Sequence, residues 1–280
     1  MKLHCRSTVL DLAGPVVMGI VNVTPDSFSD GGLHASVEAA VAHGLRLAEE
    51  GAAIIDVGGE STRPGSSPVS VGEEIGRVVP VIEQLAQRLA VPVSVDTTKP
   101  EVMRAAVAAG ATMINDVCAL TRPGALEAAA GTGAAVCLMH MQGEPRTMQA
   151  APSYRDVVAE VRQFLDARVA ACEAAGIARA RICVDPGIGF GKTLDHNLAL
   201  LARLDELAGP SLPLLVGVSR KSLVGMITGR PPDDRLAGSV ALAALAVAHG
   251  ASIVRAHDVA ATFDAVKVAD AFRRASAGGS

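Results

Sequence analysis

The sequence predicts a closed (β/α)₈ barrel of parallel strands, and three observations carry that prediction. Short β-rich runs alternate with helical stretches from one end of the 280-residue chain to the other, eight times. The composition does not change along the way, so one unit spanning 1–280, with a core of about 14–275, is expected; parallel barrels reach this length as a single domain. Every one of the eight runs also ends on polar residues at its C-terminal side. A doubly wound open sheet is the alternative, but eight regular units favour closure.

Strands are expected at 16–23, 53–57, 92–96, 112–117, 134–139, 181–185, 214–218 and 252–257. Helices are expected near 36–50, 71–89, 100–109, 124–130, 154–175, 194–207, 233–249 and 259–275. Half of the residues are hydrophobic, mostly Ala, Val, Leu and Ile, with no Trp and one Tyr. That palette suits helices packed on parallel strands, whose interiors are aliphatic. A Gly-Ala pair introduces four of the strands, at Gly51, Gly110, Gly133 and Gly250; each Gly fits the left-handed position that ends a helix. Two polar loops, Thr24–Leu33 and Glu60–Ser70, follow the first and second strands. In a barrel they lie on the rim that carries active sites, where they would act as lids.

Composition excludes several classes. A formal net charge of −4 argues against nucleic-acid binding, which needs a basic face. Cys5, Cys118, Cys137, Cys172 and Cys183 are odd in number and contain no C-x-x-C pair, which favours buried reduced thiols over a disulfide framework or zinc site. Lys2 and Arg6 are followed by Asp11 before any apolar stretch forms, so no signal peptide is expected. The longest apolar run, 240–248, is half of a membrane span. A cytoplasmic protein, without membrane or nucleic-acid partners, is expected.

The strand ends bring Asn22, Asp56, Asp96, Asn115-Asp116, Met139-His140, Asp185, Ser219-Arg220-Lys221, Arg255 and His257 to one mouth. Burying a carboxylate costs several kcal/mol unless it is paired, so stability alone does not ask for such a ring. Asp96, Asn115 and Asp185 suit a flat heterocycle with adjacent N–H donors, which a carboxylate accepts in bidentate fashion. Arg63, Lys221, Arg255 and His257 suit a phosphate or diphosphate. The run Gly187 to Thr193 (GIGFGKT) invites a nucleotide-loop reading, but Pro186 and Lys192 stand where the two phosphate-binding patterns need glycine. Cys137 and His140 have no partner cluster for a metal and are read as core.

These residues carry a resemblance. MGIVNVTPDSFSDGG at 18–32 and IIDVGGESTRPG at 54–65 resemble the two signatures of the dihydropteroate synthases, which belong to the pterin-binding (TIM) barrels. SVDT at 94–97, INDV at 114–117, MHMQG at 139–143, DPGIGFGK at 185–192, SRKS at 219–222 and RAHD at 255–258 follow in order. The resemblance implies that 4-aminobenzoate displaces diphosphate from (7,8-dihydropterin-6-yl)methyl diphosphate, giving 7,8-dihydropteroate for folate synthesis. It implies that Asp96, Asn115, Asp185 and Lys221 hold the pterin, with Met139 beside it, and that Asn22 contacts Mg²⁺. Arg63, Arg255 and His257 match diphosphate-binding positions. Thr62, Pro64, Phe190, Lys221 and Ser222 fall where the aminobenzoate is cradled. Lys221, Asp185, Arg255 and His257 are the expected catalytic group.

The stretch LAGSVALAALAVA at 236–248 has Ser239 as its only polar side chain. An outer barrel helix normally keeps one wet face, so this one predicts a homodimer that covers it. Two rival readings stand beside the resemblance. A methyltetrahydrofolate-binding methyltransferase would keep the ring-binding acids but has no use for a diphosphate cradle. A catalytically silent pterin-binding module would bind without releasing diphosphate.

Overall fold

The computed structural model describes residues 1–23, 32–61, 68–144, 147–208 and 212–277. Most of both rim loops, including Thr62, Arg63 and Pro64, lies outside them.

Two short strands, β1 (Lys2–Cys5) and β2 (Thr8–Asp11), form an antiparallel hairpin ahead of the barrel. The barrel strands are β3 (Val16–Asn22), β4 (Ala52–Gly58), β5 (Val93–Asp96), β6 (Met113–Asp116), β7 (Ala135–Met139), β8 (Ile182–Asp185), β9 (Leu215–Gly217) and β10 (Ile253–Ala256). They pair in parallel in the order β8-β7-β6-β5-β4-β3-β10-β9. The seam between β8 and β9 is short: Val184 pairs with Leu214, and the Val184 amide donates to the Pro213 carbonyl at 3.0 Å. That contact brings the eight strands into a nearly closed ring, so all eight expected strands form.

Around the ring run α1 (Gly32–Glu49), α2 (Val71–Arg88), α3 (Pro100–Ala108), α4 (Ala125–Thr132), α5 (Val157–Ala174), α6 (Leu194–Ala202), α7 (Asp205–Ala208), α8 (Ser222–Thr228), α9 (Leu236–Ala248) and α10 (Val259–Ala277). The stretch expected as one helix at 194–207 breaks at Arg203 into α6 and α7. The one expected from 154 starts later, because the Asp156 carboxylate caps the Val158 and Ala159 amides. Helix α8 has no counterpart among the expected helices. The four Gly-Ala glycines all have φ between +73° and +117°, as helix ends in this geometry require.

Side chains alternate along each strand, and the alternation sorts them into two cores. Val17, Val21, Ile55, Val57, Val95, Ile114, Val136, Leu138, Val184 and Val254 face the helices. Met18, Ile54, Met113, Cys137, Cys183, Leu215 and Ile253 fill the lower barrel, where Leu3, Cys5, Leu10 and Leu12, from the hairpin and the residue after it, plug the floor. Burying a leucine contributes roughly 1.5–3 kcal/mol, so the plug seals the N-terminal end. Function is left to the opposite mouth.

Candidate active site

The same alternation fixes which polar residues look inward. On β3 the inward series Met18, Ile20 ends in Asn22; on β4, Ile54 is followed by Asp56; on β5, Ser94 by Asp96; on β8, Cys183 by Asp185. Asn115, Met139, Arg255 and, just past their strands, Ser219 and His257 share that parity. Asp116 and His140 do not. Asp116 turns away and accepts the amides of Cys118 and Leu120 at 2.7 and 2.8 Å, a structural turn. His140 packs edge-on against Phe164, with ring centroids 5.0 Å apart. Both leave the ring that their sequence position suggested.

Arg255 sits at the centre of the mouth. Its Nε donates to Asp56 Oδ2 at 2.7 Å and its Nη2 to Asp96 Oδ2 at 2.8 Å. Asn115 Nδ2 donates to the same Asp56 oxygen at 3.1 Å. A Cβ on Gly217 would stand 3.8 Å from Arg255 Cβ and 3.6 Å from Lys221 Nζ, ordinary contact distances. The acidic and basic groups therefore interleave instead of dividing the rim into two halves. The sequence places Asp56 at the mouth but assigns it no task. It is fully buried, and its Oδ1 has no partner among the described residues. Since a carboxylate can only accept, it fixes the Asn115 amide with its NH₂ downward and leaves the amide oxygen for a ligand.

Burial pushes the Asp96 carboxyl up to about 7; Arg255 opposes that shift, and Asp56 and Glu74 reinforce it. Burial works against the charge of Arg255 too, but Asp56 and Asp96 more than restore it. Asp185 is raised by burial, opposed by Lys221 and the Gly187 amide. Burial lowers Lys221 to about 8, with Asp185 resisting.

Asp185 opens a tightly folded loop. Its Oδ1 accepts the Gly187 amide at 2.7 Å, which leaves the other oxygen for a ligand. Gly187 has φ +67°, and a Cβ at this position would collide with the His140 carbonyl oxygen. Close backbone approach, not phosphate binding, is what these glycines serve. Lys192 nails the loop down from inside: its Nζ meets His140 Nδ1 at 3.0 Å and donates to the Gly187 and Phe190 carbonyls at 3.0 and 2.9 Å. It is buried, and burial lowers it to about 7. Lys221 donates to the Ile188 carbonyl and lies 4.8 Å from the centre of the Phe190 ring, a cation–π distance. Ser219 Oγ bonds His257 Nδ1 at 3.0 Å. Ser222 opens α8 beside Lys221.

Asp96, Asn115, Met139, Asp185, Phe190, Lys221, Arg255 and His257 thus reach one end of the barrel, with Asn22 at the tip of β3. Thr62, Arg63 and Pro64 fall outside the described residues. Acceptors for a planar ring with adjacent donors lie within one side chain of cations that suit an anionic tail.

The comparisons agree with this chemistry. The family described as pterin binding enzyme matches residues 18–257. A dihydropteroate synthase of Escherichia coli K12 is 57% identical over 271 residues, covering 97% of this chain and 96% of that one. The Xanthomonas albilineans dihydropteroate synthase, solved with 4-aminobenzoic acid, is 58% identical with a TM-score of 0.91, covering 97% of this chain and 98% of that one. The Yersinia pestis enzyme, solved in a sulfonamide drug complex, is 53% identical with a TM-score of 0.93, covering 98% and 100%. On both counts, the chain belongs to the dihydropteroate synthases, within the pterin-binding enzymes.

Proposed function

We propose that the protein joins (7,8-dihydropterin-6-yl)methyl diphosphate to 4-aminobenzoate, giving 7,8-dihydropteroate and diphosphate. The observation that carries this reading is the mouth in which Asp96, Asn115 and Asp185 stand beside Lys221 and Arg255. The C–O bond to diphosphate breaks with its electron pair on the leaving oxygen. The amine lone pair forms the new C–N bond, and the nitrogen then loses a proton to solvent. An aniline nitrogen is already unprotonated near neutrality, so no strong base is required.

The free oxygen of Asp185 and the amide oxygen of Asn115 accept the ring's N–H donors, with Met139 against the ring. Asp96 and Lys221 complete the edge. Arg255 and His257, with Arg63 from the second rim loop, hold the diphosphate and stabilise its growing charge, which is electrostatic catalysis without a covalent enzyme intermediate. Phe190, Lys221 and Ser222, with Thr62 and Pro64, cradle the aminobenzoate; the last two and Arg63 rest on the resemblance. Asn22 fits Mg²⁺ as a protein ligand: its carboxamide is a hard oxygen donor at the mouth and makes no hydrogen bond among the described residues. When bound, the ion supplies positive charge to the leaving group.

Protein, Mg²⁺ and both substrates should yield 7,8-dihydropteroate and diphosphate, and EDTA and sulfonamides should each inhibit. A folded sample that binds pterin yet releases no diphosphate would overturn the reading in favour of a silent binding module. The pH profile is a second check. Asp96 must be ionised and Lys221 protonated, so kcat/KM for the pterin should climb as pH rises through about 7 and decline above about 8. A flat profile from about pH 6 to about pH 9 would contradict these roles.

The enzyme is cytoplasmic in this reading: the five cysteines are unpaired, and no helix among the described residues is long and apolar enough to cross a membrane. It is also a homodimer. Leu236 and Leu245 on α9 are about half exposed, as are Met226 and Ile227 on α8, and Val268 and Phe272 on α10 are 71% and 70% exposed. Scattered apolar residues are ordinary, but this set is concentrated on neighbouring helices. Leu245→Arg should convert a dimer into a folded monomer in sedimentation velocity; wild type sedimenting as a monomer at micromolar concentration would exclude the interface.

A further inference from the structure

Two residues of the strand-end motifs have no task in the reaction. Arg220 lies between Ser219 and Lys221, and Asp258 follows His257, yet both side chains turn to the outside of the barrel. Arg220 adopts φ +57°, a left-handed conformation that a branched or long side chain rarely occupies. Four ties hold it there. Its Nε donates to Asp258 Oδ2 at 2.9 Å, and its Nη2 to Asp258 Oδ1. Its amide donates to Ser239 Oγ at 2.9 Å, and its carbonyl accepts Arg235 Nη1 at 3.2 Å. Ser239, the lone polar side chain of α9, in turn donates to the Arg235 carbonyl at 2.7 Å.

Asp258 precedes α10, where a carboxylate would ordinarily accept the first amides of the helix. Among the described residues none of those amides donates to it; its carboxylate is taken up by Arg220. An exposed ion pair of this kind contributes little to global stability, and the Arg220 side chain is 48% exposed. Its consequence is local. Returning Arg220 to negative φ would rotate the peptide planes on both sides of it. Ser219 would swing from His257, and Lys221 from the Ile188 carbonyl and Phe190.

We propose that the Arg220–Asp258 ion pair is a positioning device that holds Arg220 left-handed from outside the barrel, so that Ser219 and Lys221 face the substrates. The inference rests on the site reading above, in which Lys221 contacts both the pterin and the aminobenzoate. Neither Arg220 nor Asp258 touches a substrate.

Glycine adopts φ +57° without strain and alanine does not, so the pair Arg220→Ala and Arg220→Gly separates conformation from charge. Arg220→Ala should lower kcat/KM about tenfold or more, and Arg220→Gly should recover at least half of that loss on a logarithmic scale. Asp258→Ala should be harmful in the wild-type background and nearly silent beside Arg220→Gly, which is a direct coupling measurement. In Arg220→Ala, Lys221 moves toward water, so the falling limb of the pH profile should shift upward from about 8 toward the ordinary lysine range. A readout that needs no turnover is amine labelling followed by peptide mass mapping: Lys221 should label faster in Arg220→Ala than in wild type. Equal activity of the alanine and glycine variants, with unchanged Lys221 labelling, would overturn the proposal. Wild type and variants that label as described but make no 7,8-dihydropteroate would instead overturn the reaction and leave the positioning intact.

Discussion

Asp185→Asn is expected to lower kcat/KM for the pterin substrate about 10²-fold, or about 2.7 kcal/mol, while leaving the protein folded. The loss follows from a count of acceptors. The carboxylate offers two oxygens, and Oδ1 is committed to the Gly187 amide at 2.7 Å. An asparagine keeps one oxygen. If that oxygen stays with Gly187, the NH₂ group faces the N–H donors of the ring, and donor meets donor. If the amide flips, the ligand is satisfied and the loop that carries Phe190 loses its tether. Hydrogen bonds to charged groups contribute about 1.5–3 kcal/mol each, which is the size of effect predicted.

Stability should move much less. Asp185 is a buried carboxylate whose pKa is raised by desolvation, so removing its charge relieves a cost as well as losing an attraction to Lys221. The melting midpoint should stay within roughly 3 °C, the shift expected of about 1 kcal/mol in a domain of this size. Lys221 also loses its main counter-charge, so the alkaline limb of activity should move below about 8. Pterin affinity within about threefold of wild type, or roughly 0.6 kcal/mol, would sink the assignment.

Much of this is legible in the sequence because a parallel barrel has a simple grammar. Strands buried on both faces read as aliphatic runs, and active-site residues collect where those runs end. Asp96, Asn115, Asp185, Lys221, Arg255 and His257 can therefore be placed at the mouth from the chain alone. What escapes has specific causes. Asp116 and His140 share a strand end with Asn115 and Met139, and only side-chain parity separates the inward pair from the outward one. The N-terminal hairpin alternates buried and exposed positions over four-residue strands, too short a pattern to stand out, and only the open floor of the barrel explains it. The roles of Asp56 and Arg255 are inseparable, yet they stand 199 positions apart in the chain. Their pairing ties Arg255, the cation assigned to the diphosphate, into a salt-bridge chain that also orients Asn115. No local signal encodes a contact at that distance.

Gly187→Ala should be among the most destabilising single changes near the site, costing about 3–5 kcal/mol and lowering the melting midpoint by roughly 10 °C. Two effects coincide there. A left-handed conformation costs a non-glycine residue about 1–3 kcal/mol. In addition, the new methyl would stand well inside contact distance of the His140 carbonyl oxygen, so backbone must move. That movement pulls on the Asp185 carboxylate through the Gly187 amide and on Lys192 through the Gly187 carbonyl at 3.0 Å. Pterin affinity should fall together with stability. Gly133→Ala supplies the control, since Gly133 has φ +73° but nothing within 4 Å of the place a methyl would take. It carries the conformational cost alone and lies at the far end of the barrel, so it should cost about 1 kcal/mol and leave binding untouched. If both variants unfolded at the same urea concentration with equal pterin affinity, the close approach between the β7 end and the Asp185 loop would have no energetic weight. The glycine-rich run would then serve turn formation only, and the shape of the pterin shelf would have to be set by Lys192 alone.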